Sequence, residues 1–381
     1  MLTQKMKYVL KAEAPIAILQ SRATSQFVKT LDYLPGSAVR GAFAEIFINK
    51  IGTEHDLFQR IFVSEEIRFS DFLPGDRTNA PLLLPATAAA CKRHGLAHET
   101  SLHDRLFERL LAREQSNMES RKCSCGERLD RLAGVYMQSL EARVKANPRR
   151  QLRMHVGISR PRGTATHGQL FSYDMLTAKP QLEKEKRHLY FIGTLASDSP
   201  NADRLFAEVE KIVHNREHLS IGKARTRGLG ELSIDSRNML DAESDFETRW
   251  QEFTGKFSDQ EKRFCHFSIT LNSHLILKDA LGRPLLSAAA PGDFGLGDEV
   301  QMVAKFLSKA IVAGWNAAQG LPKPDTAVLA RGSVFGFRAP RENSEEIKTK
   351  LRALEMSGVG ERRAEGFGQI TVCHPFHVKY A

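Results

Sequence analysis

The sequence lacks the features of a secreted, membrane-spanning or disulfide-rich protein. Its 381 residues include five cysteines, an odd number that fits a reducing compartment better than a disulfide framework. No stretch approaches the roughly 18 consecutive apolar residues that a membrane-spanning helix requires. Lys5, Lys7 and Lys11 interrupt the N-terminal region where a signal peptide would have its apolar core. The sequence therefore predicts a cytoplasmic protein without a membrane partner.

The sequence also lacks the motifs of common catalytic sites. It contains no G-x-S-x-G elbow, no H-E-x-x-H motif and no Walker loop. Cleavage of RNA would need only a general acid and a general base near a basic groove, and His155 and His167 are candidates for such a pair. Isolated histidines in polar segments are more often plain surface residues, so the sequence predicts no catalytic residue.

Basic residues outnumber acidic ones. The 55 Lys and Arg against 45 Asp and Glu leave a formal net charge of +10 at pH 7. Such a surplus favours a polyanionic partner, although excess charge also serves solubility. The composition is otherwise that of an ordinary globular protein, and the chain length predicts two or three domains.

The segment 141–162 is strongly basic, with seven cations against one acid. Its prolines and glycines predict an irregular loop that could follow an RNA backbone, with Arg160 and Arg162 as the strongest candidates for contact. A solvated charged face explains the run equally well. The cations are Arg143, Lys145, Arg149, Arg150, Arg153, Arg160 and Arg162. The rings that could stack on bases are His155, Phe171 and Tyr173.

Two glycine segments repeat each other. GKARTRGLGEL at 222–232 and GERRAEGFGQI at 360–370 align without gaps on the pattern G-x5-G-[LF]-G-x-[LI]. Glycine adopts positive φ and allows close backbone approach, so such a loop could present amide N–H groups to a phosphate. The matched glycines are Gly222, Gly228 and Gly230 in the first copy and Gly360, Gly366 and Gly368 in the second.

The two copies differ in charge. The first has three cations and no acid before Glu231, which predicts a loop that neutralises RNA phosphates. A tight turn with solvated charges is the alternative. The charges of the second copy cancel, which predicts a structural or protein-facing loop. The cations of the first copy are Lys223, Arg225 and Arg227, and the charged residues of the second are Glu361, Arg362, Arg363 and Glu365.

The surroundings of the two loops match as well. Each half begins with a strand and a helix and ends strand–helix–glycine loop–strand, which predicts an α+β fold of two ferredoxin-like (RRM-like) β-α-β-β-α-β domains. The domains are predicted at 1–240 and 263–381, with a linker at 241–262. The first carries a long insertion at about 52–186. The opening helices of the two domains are predicted at 37–50 and 298–319.

The segment LPGSAVRGAF contains a second candidate anion site. Ser37 as N-cap would leave free N–H groups at the start of the first helix, with Arg40 one turn later. These two residues are therefore candidates for RNA binding. Ordinary capping and packing explain the segment equally well.

Cysteine and histidine are concentrated in the insertion. CKRH at 91–94 places Cys91 and His94 at C-x2-H spacing, and CSCG at 123–126 places Cys123 beside Cys125. Tetrahedral zinc accepts such a donor set and would stabilise an insertion with little core of its own. Unpaired surface thiols are the alternative. Cys265 and Cys373 lie in predicted strands and are more simply explained as buried apolar residues.

Together, LPGSAVRGAFAE at 34–45 and the paired glycine loops resemble the RAMP superfamily of CRISPR effector complexes. HVGISRPRGTATHGQLFSYDML at 155–176, GSVFGFRA at 332–339 and GVGERRAEGFGQI at 358–370 are similar to the Csx-type RAMP subunit of type III-D systems. The resemblance covers nearly the whole chain. Only part of the insertion has no clear counterpart.

The resemblance implies a non-catalytic subunit of an antiviral ribonucleoprotein. Such a subunit holds the 5′ end of the CRISPR RNA beside other RAMP subunits and the large polymerase-like subunit. A RAMP endoribonuclease that processes CRISPR precursor RNA is the alternative, and a pure protein-interaction scaffold is a third hypothesis.

Overall fold

A computed structural model describes most of the chain as an α+β protein with largely antiparallel sheets, which confirms the predicted α+β class. No helix of the described residues is both long enough and apolar enough to cross a membrane. The described residues are 3–20, 27–78, 81–96, 101–111, 122–132, 134–141, 145, 147–178, 188–214, 216–240, 245–257, 263–287, 289–316 and 319–381.

The strands are, in chain order, β1 (Gln4–Ala12), β2 (Phe27–Val28), β3 (Arg68–Phe69), β4 (Leu73–Gly75), β5 (Leu82–Leu83), β6 (Ala88–Cys91), β7 (Leu102–Asp104), β8 (Leu129–Arg131), β9 (Tyr136–Met137), β10 (Arg150–Ser159), β11 (Thr164–Leu176), β12 (Tyr190–Ser197), β13 (His218–Ser220), β14 (Glu231–Leu240), β15 (Phe264–Leu271), β16 (Gln301–Phe306), β17 (Lys309–Asn316), β18 (Leu321–Leu329), β19 (Val334–Pro340) and β20 (Ile370–Val372). The helices are α1 (Gly36–Ile51), α2 (Asp56–Phe58), α3 (Leu106–Leu111), α4 (Ala202–Ile212), α5 (Phe246–Thr254), α6 (Ser344–Ser357) and α7 (Pro375–Lys379).

The described chain divides into two compact units. Unit 1 comprises Met1–Ala80, Asn147–Leu240 and Ile311–Thr326, and unit 2 comprises Pro81–Ala146, Asp241–Ala310 and Ala327–Ala381. The predicted insertion is thus shared: residues 81–146 group with unit 2, and the rest groups with unit 1. The domain boundaries at 240 and 263 stay a prediction from the sequence.

The main sheet of unit 1 has the strand order β13-β14-β1-β12-β3, with β4 also paired to β12. The central strand β1 is antiparallel to both β12 and β14. Helix α1 packs a buried face of Val39, Phe43 and Phe47 into this core, and α4 contributes Leu205 and Phe206. The spacing of four residues places the three α1 side chains on one face of that helix.

The main sheet of unit 2 has the order β16-β19-β15-β20, and β19 pairs antiparallel with both β15 and β16. The predicted helix 298–319 is wrong, because β16 and β17 both lie within this segment. Val303, Ile311 and Val312 are β-branched and Gly314 weakens a helix, so local propensity also favours strands here. Helix α6, in contrast, begins after its N-cap Asn343 and ends before its C-cap Gly358.

Two helices that are distant in sequence cover the sheet of unit 2. Helix α5 lies within the predicted linker and buries Phe246, Trp250 and Phe253 in the core, together with Leu106 and Leu110 of α3. A Cβ at Gly336 of β19 would lie 2.8 Å from Cδ2 of Leu110, so the absent side chain makes room for α3. Residues 104–111 of the insertion therefore belong to the core of this unit.

Candidate nucleic-acid interface and metal centre

The first glycine loop lies between β13 and β14 and requires glycine at two closely packed positions. Gly222 has φ 94°, and a Cβ there would lie 2.4 Å from the carbonyl oxygen of Ala17. At Gly230, with φ 78°, a Cβ would lie 2.0 Å from the carbonyl oxygen of Ile221. Because no side chain fits either place, the glycines are needed for the local fold.

The second glycine loop repeats this geometry in unit 2. A Cβ at Gly368 would lie 1.7 Å from the carbonyl oxygen of Val359. The Gly368 N–H donates to the carbonyl of His274 at 2.8 Å, as the Gly230 N–H donates to that of Pro15 at 2.8 Å. The sequence repeat is thus a repeat of backbone structure, down to a left-handed residue at the same place, namely Ala224 in one loop and Arg362 in the other.

The amides of the first loop are largely satisfied within the protein. The Lys223 N–H donates to the carbonyl of Ala17 at 2.9 Å, and the Arg227 N–H donates to that of Ala224 at 2.9 Å. The Gly228 and Gly230 amides donate to Arg225 and Pro15. These N–H groups are therefore not offered to a phosphate, contrary to the expectation for the glycines. A polyanion can therefore contact the cationic side chains of the loop rather than these amides.

Those side chains are exposed. Lys223 and Arg227 point into solvent, while the Arg225 guanidinium donates to Oε2 of Glu45 on α1 at 2.6 Å. About half of each side chain of this pair is exposed, 46% for Arg225 and 51% for Glu45. Exposed ion pairs contribute only about 0–1 kcal/mol, so a phosphate can compete with Glu45 for Arg225.

Both acids of the second loop are in ion pairs. The Arg362 guanidinium donates to Oε2 of Glu365 at 2.7 Å and lies 4.6 Å from the ring centroid of Phe367. Lys278 pairs with Glu361 at 2.7 Å. The second loop therefore presents acids as well as cations, and a structural or protein-facing role for it stays a prediction.

Residues 150–159 of the segment predicted as an irregular basic loop form β10, which makes a long hairpin with β11, so the prediction is wrong for them. Along β10, aliphatic residues alternate with polar ones, which is the period of a strand. The chain turns at 160–163, where the Gly163 N–H donates to the carbonyl of Ser159 at 2.8 Å. Arg160 and Arg162 are both exposed at this tip.

One face of the hairpin carries an aromatic cluster. The rings of His155 and Phe171 are stacked with centroids 5.3 Å apart, and Tyr173 meets His155 edge-on at 5.1 Å. Tyr173 also packs against a small core of Ala17, Met175 and Leu229, the last of which belongs to the first glycine loop. The structure therefore brings together, within unit 1, two segments that the sequence singled out separately.

Not every cation of the basic segment is available. Arg150 pairs with Asp32 and Asp174 at the base of the hairpin and donates to the carbonyl of Thr30 at 3.0 Å. It therefore fixes the hairpin to unit 1. Lys145, Arg149 and Arg153 are exposed, and Arg143 lies outside the described residues.

Ser37 is not the N-cap of α1, which corrects the sequence prediction. The helix begins at Gly36 with Pro35 as N-cap, and the Gly36 N–H donates to Oδ1 of Asp71 at 3.0 Å. An internal carboxylate therefore already lies at this helix start. The Arg40 guanidinium donates to the carbonyl of Phe62 at 2.6 Å. An RNA contact by Ser37 and Arg40 stays a prediction that these neighbours disfavour.

The four predicted metal ligands lie together in unit 2. Their ligand atoms are all within 4.8 Å of one another, and Sγ of Cys91 is 3.7 Å from both Nδ1 of His94 and Sγ of Cys125. A tetrahedral zinc site with Zn–S bonds of about 2.3 Å places two sulfurs about 3.8 Å apart. A hydrogen bond from the Cys125 backbone lowers the pKa of the Cys123 thiol to about 6, which favours the thiolate, the form that binds a metal. The donor set and its spacing therefore fit zinc.

The remaining cysteines confirm the apolar interpretation. Cys265 and Cys373 are buried, and burial raises the pKa of the Cys373 thiol far above its usual range.

An acid–base chain in unit 2 is inaccessible. The His377 ring lies 3.0 Å from Oγ1 of Thr270 and 3.0 Å from Oδ2 of Asp104. All three side chains are buried, and none is more than 2% exposed. No substrate can reach these groups, so their hydrogen bonds stabilise the core instead.

Two family models match the chain. The model described as RAMP superfamily matches residues 21–233, and the model described as CRISPR-associated protein (Cas_Cmr3) matches residues 132–375. No curated protein sequence matches.

Several solved structures are similar at low identity. One is a type III-B Cmr-beta cryo-EM structure bound to cognate target RNA, where 93% of this chain and 96% of the other align at 10% identity with a TM-score of 0.46. Another, bound to cognate target RNA and AMPPnP, gives 90% and 88% coverage at 10% identity and a TM-score of 0.45. A structure of CRISPR associated protein Cas6 gives 97% and 99% coverage at 8% identity and a TM-score of 0.37.

Proposed function

Because the chain belongs to the RAMP superfamily and to the CRISPR-associated Cas_Cmr3 family, we propose that it is a non-catalytic RNA-binding subunit of a type III CRISPR effector ribonucleoprotein. In this proposal the chain binds the 5′ region of the CRISPR RNA. The sequence resemblance supports type III-D as the subtype, with other RAMP subunits and the large polymerase-like subunit as neighbours. The cytoplasm is the compartment that the composition predicts.

The adjacency of the cationic glycine loop and the aromatic hairpin in unit 1 carries this proposal. Lys223, Arg225 and Arg227 provide three cations that neutralise phosphates without reading sequence. The rings of Phe171 and Tyr173 provide surfaces of the kind on which unpaired bases stack. Phosphate and base contacts therefore lie side by side, as single-stranded RNA requires.

The tip of the hairpin extends this interface. Arg160 and Arg162 are exposed at the end of a ten-residue strand, away from the carboxylates that hold Arg150. They contact RNA phosphates beyond those held by the glycine loop.

Both sheets support the ferredoxin-like architecture. Among the four strands of the predicted repeat, each sheet has the order fourth, first, third, second, and the neighbouring strands are antiparallel. This is the arrangement of a β-α-β-β-α-β unit. In unit 2 the first helix is replaced by α3 and α5.

The state of His155 supports a non-catalytic role. Its Nε2 is buried beneath neighbouring atoms and has no hydrogen-bond partner, and its ring is stacked on Phe171. A general acid or base must reach the proton that it transfers. The endoribonuclease stays the alternative hypothesis.

The metal centre holds structural zinc. Cys91, His94, Cys123 and Cys125 would provide all four ligands, and a closed four-ligand site contributes folding energy rather than catalysis. Elemental analysis of the purified chain should find a single zinc ion, lost in Cys123→Ser and kept in Cys265→Ser. A purified wild-type chain without zinc would contradict the assignment.

The test of the function compares the two loops. RNA that co-purifies with the chain should share a common 5′ end when sequenced, and this RNA should be lost in the double variant Arg225→Ala, Arg227→Ala. The matched control, Arg362→Ala with Arg363→Ala, should keep it. RNA with random ends, or metal-independent cutting of repeat RNA that His155→Ala abolishes, would contradict the proposal.

A further inference from the structure

The hairpin of β10 and β11 exposes an aliphatic stripe that the RNA contacts above do not use. Four of its residues alternate along β10, and the fifth lies on β11. They are Leu152, Met154, Val156, Ile158 and Leu170, with exposed fractions of 59%, 65%, 48%, 63% and 46%. We define these five residues as the aliphatic stripe. In a folded protein such a row on one strand face marks a site of contact.

The two faces of the hairpin differ in chemistry. Because strand residues alternate in direction, the face opposite the stripe carries Arg153 and the His155 aromatic cluster. Three of the cross-strand partners of the stripe are neutral, since Met154 lies opposite Ser172, Val156 opposite Leu170 and Ile158 opposite Ala165. Leu152, at the base, lies opposite Asp174, whose charge is paired with Arg150. The stripe therefore offers no cation to a phosphate and no aromatic ring to a base.

The area of the stripe decides between two kinds of protein partner. Its side chains expose on the order of 500 Å², as large as the biggest apolar patches on monomeric proteins. A stable stand-alone dimer buries about 800 Å² on each partner. The stripe is thus too small to hold a second copy alone, and large enough to add to contacts made within an assembly.

We propose that the aliphatic stripe docks on an apolar surface of a neighbouring protein subunit, so that the hairpin contacts protein with one face and RNA with the other. This inference rests on the proposed function, because it places the chain in a multi-subunit effector complex. An uncharged aliphatic face matches an uncharged apolar surface, since desolvating it leaves no charge unpaired. RNA and a second copy of the chain are the alternative occupants.

Site-specific photo-crosslinking in the assembled complex tests the two faces with neighbouring residues. A photoreactive phenylalanine derivative replaces Met154 in one variant and Arg153 in the other, and the complex is irradiated. The Met154 probe should link to another protein subunit, and the Arg153 probe to RNA. The inference is overturned if the Met154 probe links to RNA, links only to a second copy, or links to nothing.

The two proposals fail separately in this experiment. If the Arg153 probe yields no RNA while the Met154 probe links to a subunit, the RNA assignment of the hairpin is wrong and the docking surface stands. If the Arg153 probe yields RNA and the Met154 probe yields no protein, the docking surface is wrong.

A neutral variant tests the energetic contribution. Met154→Gln with Ile158→Thr changes no charge, and both side chains are exposed, so folding and RNA retention by the full chain should stay unchanged. Incorporation into the co-expressed complex should fall about tenfold, since apolar residues at the centre of an interface dominate its affinity. Unchanged incorporation would contradict the docking surface.

Discussion

The two glycine loops have the same backbone and different side chains. In each, glycines with positive φ pack against a carbonyl of a neighbouring segment, and the same amide donates to the same position after the first strand of the sheet. Yet the first loop exposes three cations and has no acid before Glu231, whereas the second has two acids among its charges, with Glu361 paired to Lys278 and Glu365 to Arg362. The repeated glycines therefore determine the backbone of both loops. The residues between the glycines determine the charge of each loop.

The segments next to the two loops also differ in charge and in aromatic content. The first packs through Leu229 against the base of a hairpin with aromatic and cationic residues. The second follows α6, whose buried face belongs to the core of unit 2. The repeated element thus has the same backbone in both units, while the first copy alone has three cations and no acid before its last glycine.

The largest effect is expected from the glycines, and it should be the same in both loops. Gly230→Ala and Gly368→Ala should each lower the free energy of unfolding by about 3 kcal/mol or more, because a Cβ collides with a carbonyl at positive φ. Urea denaturation measures this. Gly228→Ala is the control: it has space for a Cβ and only a left-handed backbone, at a cost of about 1 kcal/mol. Equal stability of all three variants would refute a structural role.

The salt dependence of RNA binding should show whether the cations of the first loop contact phosphates. Replacing Lys223, Arg225 and Arg227 by Ala should weaken binding on the order of 100-fold and reduce the slope of log K against log salt by about 2, because three phosphate contacts are lost. Filter binding at several salt concentrations measures both. The same slope in wild type and variant would mean that these cations do not contact phosphates.

A smaller effect is expected from the acid that pairs with Arg225. Glu45→Gln removes the carboxylate 2.6 Å from this guanidinium and should raise RNA affinity about twofold to fivefold, since an exposed pair is worth at most about 1 kcal/mol. Glu361→Gln is the matched control in the second loop, where Lys278 is the partner, and should leave affinity unchanged. A loss of RNA affinity in Glu45→Gln would contradict the claim that Glu45 competes with phosphate for Arg225.

Local patterns predicted local structure well. The first helix was expected at 37–50 and forms at Gly36–Ile51, and the repeat of the glycine loops was visible without a structure. The metal ligands could be chosen by chemistry, because few residue types bind zinc and four of them fell in one insertion. These features depend on spacing within short segments.

Long-range packing was not predicted. The sheet of unit 2 is covered by α3, which comes from an insertion more than 150 residues earlier. No local sequence pattern predicts that α3 packs on this sheet. The alternation of Leu152, Met154 and Val156 was a strand signal that the nearby prolines and glycines obscured. The ion pairs that occupy Arg150 likewise depend on residues distant in sequence.

The exchange of charges between the loops tests the central claim most directly. Lys223→Glu with Arg227→Glu gives the first loop the acids of the second, at matched backbone positions, and Glu361→Lys with Glu365→Arg does the reverse. In an RNA-binding assay on the full chain, the first variant should lose RNA and the second should retain it. Retention by the first variant, or loss by the second, would contradict the assignment of RNA to unit 1.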